Sequence, residues 1–156
     1  MTPTCPTCGT ELLEHPANRC LDAWVAVAVM KWIPWVEQRG KYQYVVWQKP
    51  NKSAPWYGSQ NPEAQRERYS PLIKFDPHKH IEAGLHKFST DIAAAWEVVN
   101  EVTSKGFYFD LSYDLCAWTA TFRNANGGLP ISVNTTKSNP SEEICRAALL
   151  AVMEER

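Results

Sequence analysis

The chain has 156 residues, of which 44% are hydrophobic, 12% aromatic and 21% charged, so we expect one globular domain and not a disordered chain. The 16 Lys and Arg residues nearly balance the 17 Asp and Glu residues, and the formal net charge of −1 disfavours a general nucleic-acid binder. No apolar run reaches the length of about 18 residues that a membrane span needs, and no signal peptide is apparent.

The N-terminus carries the pattern of a zinc knuckle. Cys5 and Cys8 are two residues apart, so both thiolates can reach one ion, and Gly9 permits the tight turn that follows. A closed structural site needs four ligands. The predicted set is Cys5, Cys8, His15 and Cys20, around a structural Zn²⁺. The alternatives are a reduced Cys pair without a metal and a catalytic zinc, which four protein ligands disfavour because they leave no open position.

The five cysteines do not predict a disulfide framework, because their number is odd and the chain has the features of an intracellular protein. Cys116 and Cys145 lie in apolar periodic segments, where a free cysteine behaves as a small buried hydrophobe. We therefore expect both of them to be buried.

An amphipathic helix is predicted from Leu21 onward, with Pro34 as its stop. Its apolar stripe runs through Leu21, Trp24, Val25, Ala28, Val29 and Trp32. Residues 41–48 are β-branched and aromatic and predict a strand that is covered on both faces.

Periodicity then disappears over residues 49–87, which contain five prolines and predict a long loop insertion with at most a short helix within residues 62–69. Aromatic rings stack on bases, and arginine forks bind phosphates. The candidate ligand-binding residues are Trp56, Tyr57, Arg66, Arg68, Tyr69, Lys74, His78 and His80. The same composition suits a protein interface or a solvated loop without a partner.

Three of the four histidines, His78, His80 and His86, fall within nine residues of this segment. They predict either ordinary loop histidines, or a second metal site or a general base. The second option would make the protein a small metal-dependent hydrolase.

The second half of the chain predicts a helix, three strands and a last helix. Ser89 or Thr90 is expected to cap the first of these helices, and Lys105-Gly106 to end it. Strands are predicted at residues 107–113, 115–123 and 131–135, the first two joined by a turn around residues 113–114. The last helix begins at Asn139-Pro140, with an Asn cap and Pro at the first helical position.

These elements predict an α+β fold in which an antiparallel sheet of about four strands is layered with helices as an α/β/α sandwich. Residues 1–20 form the zinc-knuckle appendage, and residues 21–156 form the main domain, which carries the insertion at about 49–87.

Three stretches resemble the phage ABA sandwich domain family, a group of small phage and prophage proteins in which an antiparallel sheet lies between helical layers. They are LDAWVA at 21–26 followed by VM at 29–30, FSTDIAAAWEVV at 88–99, and ICRAALLAVM at 144–153. The resemblance implies a phage-encoded protein that acts in the cytoplasm of a bacterial host. It implies no particular chemistry, because a fold does not determine a function.

No glycine-rich phosphate loop, nucleophile elbow or HExxH motif occurs in the sequence. We therefore expect a non-enzymatic binding protein that interferes with a host system, such as an anti-phage defence. Its partner would be a small anionic, nucleotide-type ligand or a host protein, and self-association stays open. The alternatives are a zinc-containing nucleic-acid accessory protein and the histidine-dependent hydrolase.

Overall fold

The computed structural model describes residues 2–134 and 139–154. A 3₁₀ turn at Leu12–Glu14 precedes four helices, which are α1 (Arg19–Ala28), α2 (Pro62–Arg66), α3 (Ile92–Thr103) and α4 (Pro140–Glu154). The strands are β1 (Ile33–Arg39), β2 (Tyr42–Gln48), β3 (Tyr69–Pro71), β4 (Ile81–Ala83), β5 (Phe107–Asp114), β6 (Ala117–Asn124) and β7 (Ile131–Asn134). The predicted α+β class is confirmed.

The strands form two sheets, so the prediction of a single antiparallel sheet of about four strands is wrong. The first sheet has the order β3-β1-β2-β4 and is mixed, because β4 pairs with β2 in parallel. The second sheet has the order β5-β6-β7 and is antiparallel throughout. One buried core cluster includes side chains from both sheets and from α1, α3 and α4.

The segment predicted as a loop at 49–87 supplies both outer strands of the first sheet. β3 pairs with β1, and β4 pairs with β2, so the segment crosses from one edge of the sheet to the other. Each of these strands has only three residues, which is too short for an alternating pattern to be recognised. The short helix that the sequence suggested within residues 62–69 is present as α2.

α1 ends earlier than the apolar stripe predicts. Its last residue is Ala28, and Lys31 adopts a left-handed backbone conformation with φ of 58°, which turns the chain out of the helix. Trp32 therefore lies beyond the helix, and Pro34 belongs to β1 instead of marking a helix end. The sequence does not predict β1, because Pro34 is interpreted as the stop of the preceding helix and a proline within a run is untypical of a strand.

The β5–β6 hairpin turns two residues later than predicted. Leu115 and Cys116 form the turn, and both have positive φ, at 48° and 64°, as in the type I′ turns that match the strand twist. Cys116 is consequently exposed, so the prediction that it is buried is wrong, whereas Cys145 is buried as predicted. β7 confirms the third predicted strand as far as Asn134, and Thr135 lies outside the described residues.

α3 is capped by Asp91, whose carboxylate accepts the N–H of Ala93 at 2.9 Å. The expected cap at Ser89 or Thr90 is wrong. Ser89 is instead buried, and its backbone N–H and its hydroxyl both donate to the Asp22 carboxylate, at 2.7 and 2.8 Å. This pair ties the start of α3 to α1.

α4 begins as predicted, with the Asn139 side chain accepting the N–H of Ser141 at 3.0 Å. The helix is buried along almost all of its length, and it packs against α1, α3, β6 and β7. No described helix has the length and apolar character needed to cross a membrane.

A fully buried arginine on α4 joins this helix to the N-terminal segment. The Arg146 guanidinium donates to the carbonyls of Leu12 and His15. It also pairs with Glu142 at 2.9 Å and with Glu143 at 3.2 Å. Both carboxylates are buried too, so their charges depend on the arginine for compensation.

We predict that Arg146→Met lowers the free energy of unfolding by about 3–5 kcal/mol, because it leaves Glu142 and Glu143 buried without their cation. Urea denaturation followed by circular dichroism measures this loss. The matched control is Arg123→Met on the exposed face of β6, which should leave the unfolding midpoint unchanged. A loss below about 1 kcal/mol for Arg146→Met would contradict this role.

Candidate metal centre and adjoining cleft

A tight hairpin carries the first two predicted metal ligands. The backbone N–H of Cys5 donates to the Thr10 carbonyl at 2.9 Å, and the N–H of Gly9 donates to the Cys5 carbonyl at 2.9 Å. Gly9 has φ of +74°, a conformation that glycine adopts without strain. This turn brings the Cys5 and Cys8 side chains together.

His15 completes a group of three ligand atoms. The two sulfurs and a nitrogen of the His15 ring all lie within 4.8 Å of one another, and Cys8 Sγ is 3.2 Å from His15 Nε2. His15 Nδ1 lies 2.8 Å from the Pro16 carbonyl oxygen and donates to it. In the neutral ring, Nε2 therefore offers a lone pair toward the sulfurs, as a metal-binding histidine does when a carbonyl fixes its other nitrogen.

Cys20, the fourth predicted ligand, lies in the first turn of α1, next to the same group. Burial, together with the neighbouring Cys5 and Cys8 sulfurs, raises the pKa of Cys20 to about 11. Burial disfavours the charged thiolate form of Cys20, and the neighbouring sulfurs would repel its negative charge. A bound cation would offset both effects. The structure therefore brings Cys5, Cys8 and His15 together, and it places Cys20 beside them but outside the set whose ligand atoms all lie within 4.8 Å of one another.

A cleft of about 460 Å³ opens beside this centre. One wall is formed by Thr7, Cys8 and Cys20, and the other by residues 74–80. Three of the predicted ligand-binding residues, Lys74, His78 and His80, line it. Phe75 and Lys79, which are not among the predicted ligand-binding residues, also line the cleft.

A hydrogen-bonded turn centred on Asp76 fixes the second wall. The Asp76 carboxylate accepts the N–H of His78 at 2.9 Å, and this bond lowers the pKa of Asp76. Asp76 N–H donates to His80 Nδ1 at 3.1 Å, so in the neutral ring Nε2 carries the proton. Burial, and then the charge of Lys79, lowers the pKa of His80, which favours this neutral donor form.

The aromatic candidates lie in a separate cluster and mostly contact one another. The Trp56 ring meets Trp35 edge-on at 4.8 Å and Tyr69 at 5.4 Å. The Arg66 guanidinium lies over Trp56 at 4.5 Å, and the Tyr57 ring stacks on Trp56 at 6.3 Å. These side chains pack part of the 49–87 segment against β1. None of them lines the cleft.

Arg68 also belongs to this separate region. Hydrogen bonds from Arg39 hold the pKa of Glu37 below its usual range, with smaller contributions from Tyr69 and Arg68. The eight predicted ligand-binding residues thus divide between two places, with three at the cleft and five around Trp56 and Glu37.

The three loop histidines do not assemble into a site. His86 Nδ1 lies 3.0 Å from a Glu97 carboxylate oxygen, and its ring meets Trp32 edge-on at 5.0 Å. Within residues 2–134 and 139–154, three or more side-chain atoms that could bind a metal converge at Cys5, Cys8 and His15 and not at the loop histidines. The arrangement that a hydrolase with His78, His80 and His86 requires is therefore not formed.

The model of one protein family, the phage ABA sandwich domain, matches residues 23–149 of the chain. A search of curated proteins and a search of solved structures each gave no match. All four predicted metal ligands precede the matched segment, so the family assignment carries no information about a metal.

We predict that Trp56→Leu destabilises the protein by about 1 kcal/mol beyond the loss of buried area, because it removes the aromatic and cation–π contacts of Trp35, Tyr69 and Arg66. The midpoint of thermal unfolding measures this effect. The control is Tyr57→Leu, since Tyr57 is 65% exposed and should contribute less. Equal effects of the two changes would contradict a central position for Trp56.

Proposed function

Because the chain belongs to the phage ABA sandwich domain family, we propose that it is a phage protein that works by binding and not by catalysis. In this proposal a structural Zn²⁺ bound by Cys5, Cys8, His15 and Cys20 holds the N-terminal segment in place. The cleft beside the zinc then binds a small anionic ligand.

Zinc is the metal that this donor set suits best. Three sulfurs and one imidazole nitrogen form a soft, four-coordinate site of the type that holds structural zinc. The observation that carries the proposal is the convergence of Cys5, Cys8 and His15 within 4.8 Å, with the His15 tautomer already set by Pro16. With Cys20 as the fourth ligand, no coordination position is open for a substrate, which favours a structural role over a catalytic one.

Two ammonium groups and one imidazole donor line the cleft and can bind the oxygens of an anion. Lys74 and Lys79 line it, and among the described residues neither ammonium group has an ion pair or a side-chain hydrogen bond. The Nε2 of His80 adds a neutral donor, while the Asp76 carboxylate is engaged by the N–H of His78. Asp76 and a Zn²⁺ bound by three thiolates are both net negative and offset the two lysines, so the proposal depends on the local donors, which suit an acceptor-rich ligand.

A phage protein that captures an anionic host molecule in the bacterial cytoplasm would interfere with the host system that uses this molecule. This form of interference needs only binding, which agrees with the absence of recognised catalytic motifs in the sequence. A host protein that docks on the same walls is the other form of the proposal.

We predict one zinc per chain in protein purified without chelator, measured by plasma mass spectrometry. Cys8→Ser should abolish the zinc, because it removes a thiolate from the centre of the ligand group. Cys116→Ser is the matched control, since Cys116 lies in the β5–β6 turn, and it should retain one zinc. Zinc-free wild-type protein would contradict the proposal, as would equal zinc in both variants.

We predict that pyrophosphate binds the zinc-loaded protein and that Lys74→Ala weakens this binding roughly tenfold, as expected for one charge-assisted hydrogen bond. Isothermal titration calorimetry at low salt measures both affinities. Lys52→Ala removes an exposed lysine from outside the cleft and should not change the affinity. If wild-type protein does not bind pyrophosphate, or if Lys52→Ala weakens binding as much as Lys74→Ala, the anion site is wrong.

A further inference from the structure

β5 forms an open edge of the second sheet. Within the described residues, β5 pairs with β6 on one side, and no strand pairs with its other side. The strand has eight residues, Phe107–Asp114, and is therefore about 27 Å long. Along its free side it presents backbone N–H and C=O groups that can pair with another strand.

β5 has none of the features by which proteins usually protect an open edge. Its sequence, FYFDLSYD, contains no lysine or proline, and its register with β6 continues over all eight residues without a bulge. Its two charged residues, Asp110 and Asp114, lie on the outer face of the sheet, away from the helices. An unprotected edge of this length is suited to pairing with a defined partner.

α3 adds an apolar surface beside this edge. α4 packs against β6 and β7, whereas α3 packs against β5, so α3 is the outer helix on the side of the open edge. Ile92 and Trp96 lie one turn apart on α3 and are 42% and 44% exposed. The Trp96 ring meets Phe109 of β5 edge-on at 5.5 Å. The exposed apolar flank of α3 therefore adjoins the free edge of β5.

We propose that this edge is the interface of a symmetric dimer, in which β5 pairs in antiparallel with the β5 of a second copy and the two α3 helices lie side by side. A two-fold axis perpendicular to the sheet would produce this arrangement and would join two three-stranded sheets into one continuous sheet. The dimer needs neither the metal nor the anionic ligand, so it is independent of the proposed function.

The charges of β5 select one register for this pairing. A pairing centred on Asp110 places two carboxylates opposite each other, and one centred on Ser112 places Asp110 opposite Asp114, so both are unfavourable. A pairing centred on Leu111 places Asp110 opposite Ser112. It also places Asp114 opposite Tyr108. Each carboxylate then faces a hydroxyl donor of the other copy, and the interface is complementary to itself.

The same register gives exposed aromatic side chains a partner. It places Tyr113 opposite Phe109 of the second copy, on the face of the sheet that carries the helices. Tyr113 is 56% exposed and packs against Trp118 of its own chain at 5.0 Å. In the dimer it would also meet Phe109 and Trp96 of the second copy, and symmetry forms this contact twice. A pairing centred on Phe109 keeps the acids apart too, but it lacks this contact and covers less of β5.

The size of the combined surface agrees with a dimer of moderate affinity. An edge about 27 Å long and, with the sheet and helix layers together, about 20 Å high presents about 500 Å² per copy. Two copies therefore bury about 1,000 Å², which is the lower limit for a specific interface. The sheet edge alone would fall short of this limit, so the flank of α3 is a necessary part of the interface.

Sedimentation velocity of the full chain, at concentrations from about 1 to about 200 μM, tests the dimer. We expect a shift from the mass of one chain to twice that mass, with a dissociation constant in the micromolar range, because the interface lies at the lower limit of size. A protein that stays monomeric at the highest concentration would overturn the proposal.

Two substitutions of the exposed Ser112 test the register. Ser112→Asp should weaken the dimer about tenfold, because it places two carboxylates opposite each other at two symmetric positions. Ser112→Lys should strengthen the dimer at least about threefold, because it places an ammonium group opposite Asp110. The matched control is Ser132→Asp, on the same face of the sheet but on β7, which should not change the dissociation constant. A weaker dimer with Ser112→Lys, or equal effects of the two aspartates, would overturn the proposal.

The aromatic contact has its own test. Tyr113→Gln should weaken the dimer roughly fivefold, because it removes two cross-strand aromatic pairs. Tyr42→Gln is the matched control, since Tyr42 is 50% exposed on β2, in the other sheet, and it should have no effect. Circular dichroism confirms that both variants are folded. If Tyr113→Gln dimerises as well as Tyr42→Gln does, pairing around Leu111 is wrong. Neither Ser112 nor Tyr113 lines the cleft, so these results leave the anion site untouched.

Discussion

The N-terminal segment depends on one buried cation, Arg146. Its guanidinium donates to the Leu12 and His15 carbonyls and pairs with two buried glutamates of its own helix. One of these, Glu142, also accepts the backbone N–H of Ala17 at 2.8 Å. Bonds on both sides of His15 thus fix the backbone from which its imidazole reaches Cys8. Without them, this segment of about 20 residues would be held on the domain by the proposed zinc and by the few side chains that it buries, such as Leu12 and Cys5.

Prediction from the sequence succeeded where the structural signals are local. The start of α4 follows from an Asn-Pro pair, and β5 and β6 follow from clear alternation over eight residues each. It failed where pairing is determined by distant residues. β3 and β4 are three residues long and become strands only through β1 and β2, and propensity yields to tertiary context in such cases.

The candidate site shows the same difference between features with a local sequence signal and features that depend on distant residues. The spacing of Cys5 and Cys8, followed by Gly9, predicts that the two sulfurs converge, and in the structure they do, with His15 beside them. For the ligand-binding candidates, composition gave the chemistry but not the direction of the side chains. Arg66 lies over the Trp56 ring, because a guanidinium gains more from an aromatic face than from water.

The central claim is that a zinc ion bound by three thiolates and one imidazole holds the N-terminal segment in place. The same ion would fix one wall of the cleft. Zinc K-edge X-ray absorption on the purified protein tests it most directly. The account predicts a first shell of three sulfurs at about 2.3 Å and one nitrogen at about 2.0 Å. A first shell of nitrogen and oxygen atoms alone would contradict it and would place any bound zinc at another part of the surface.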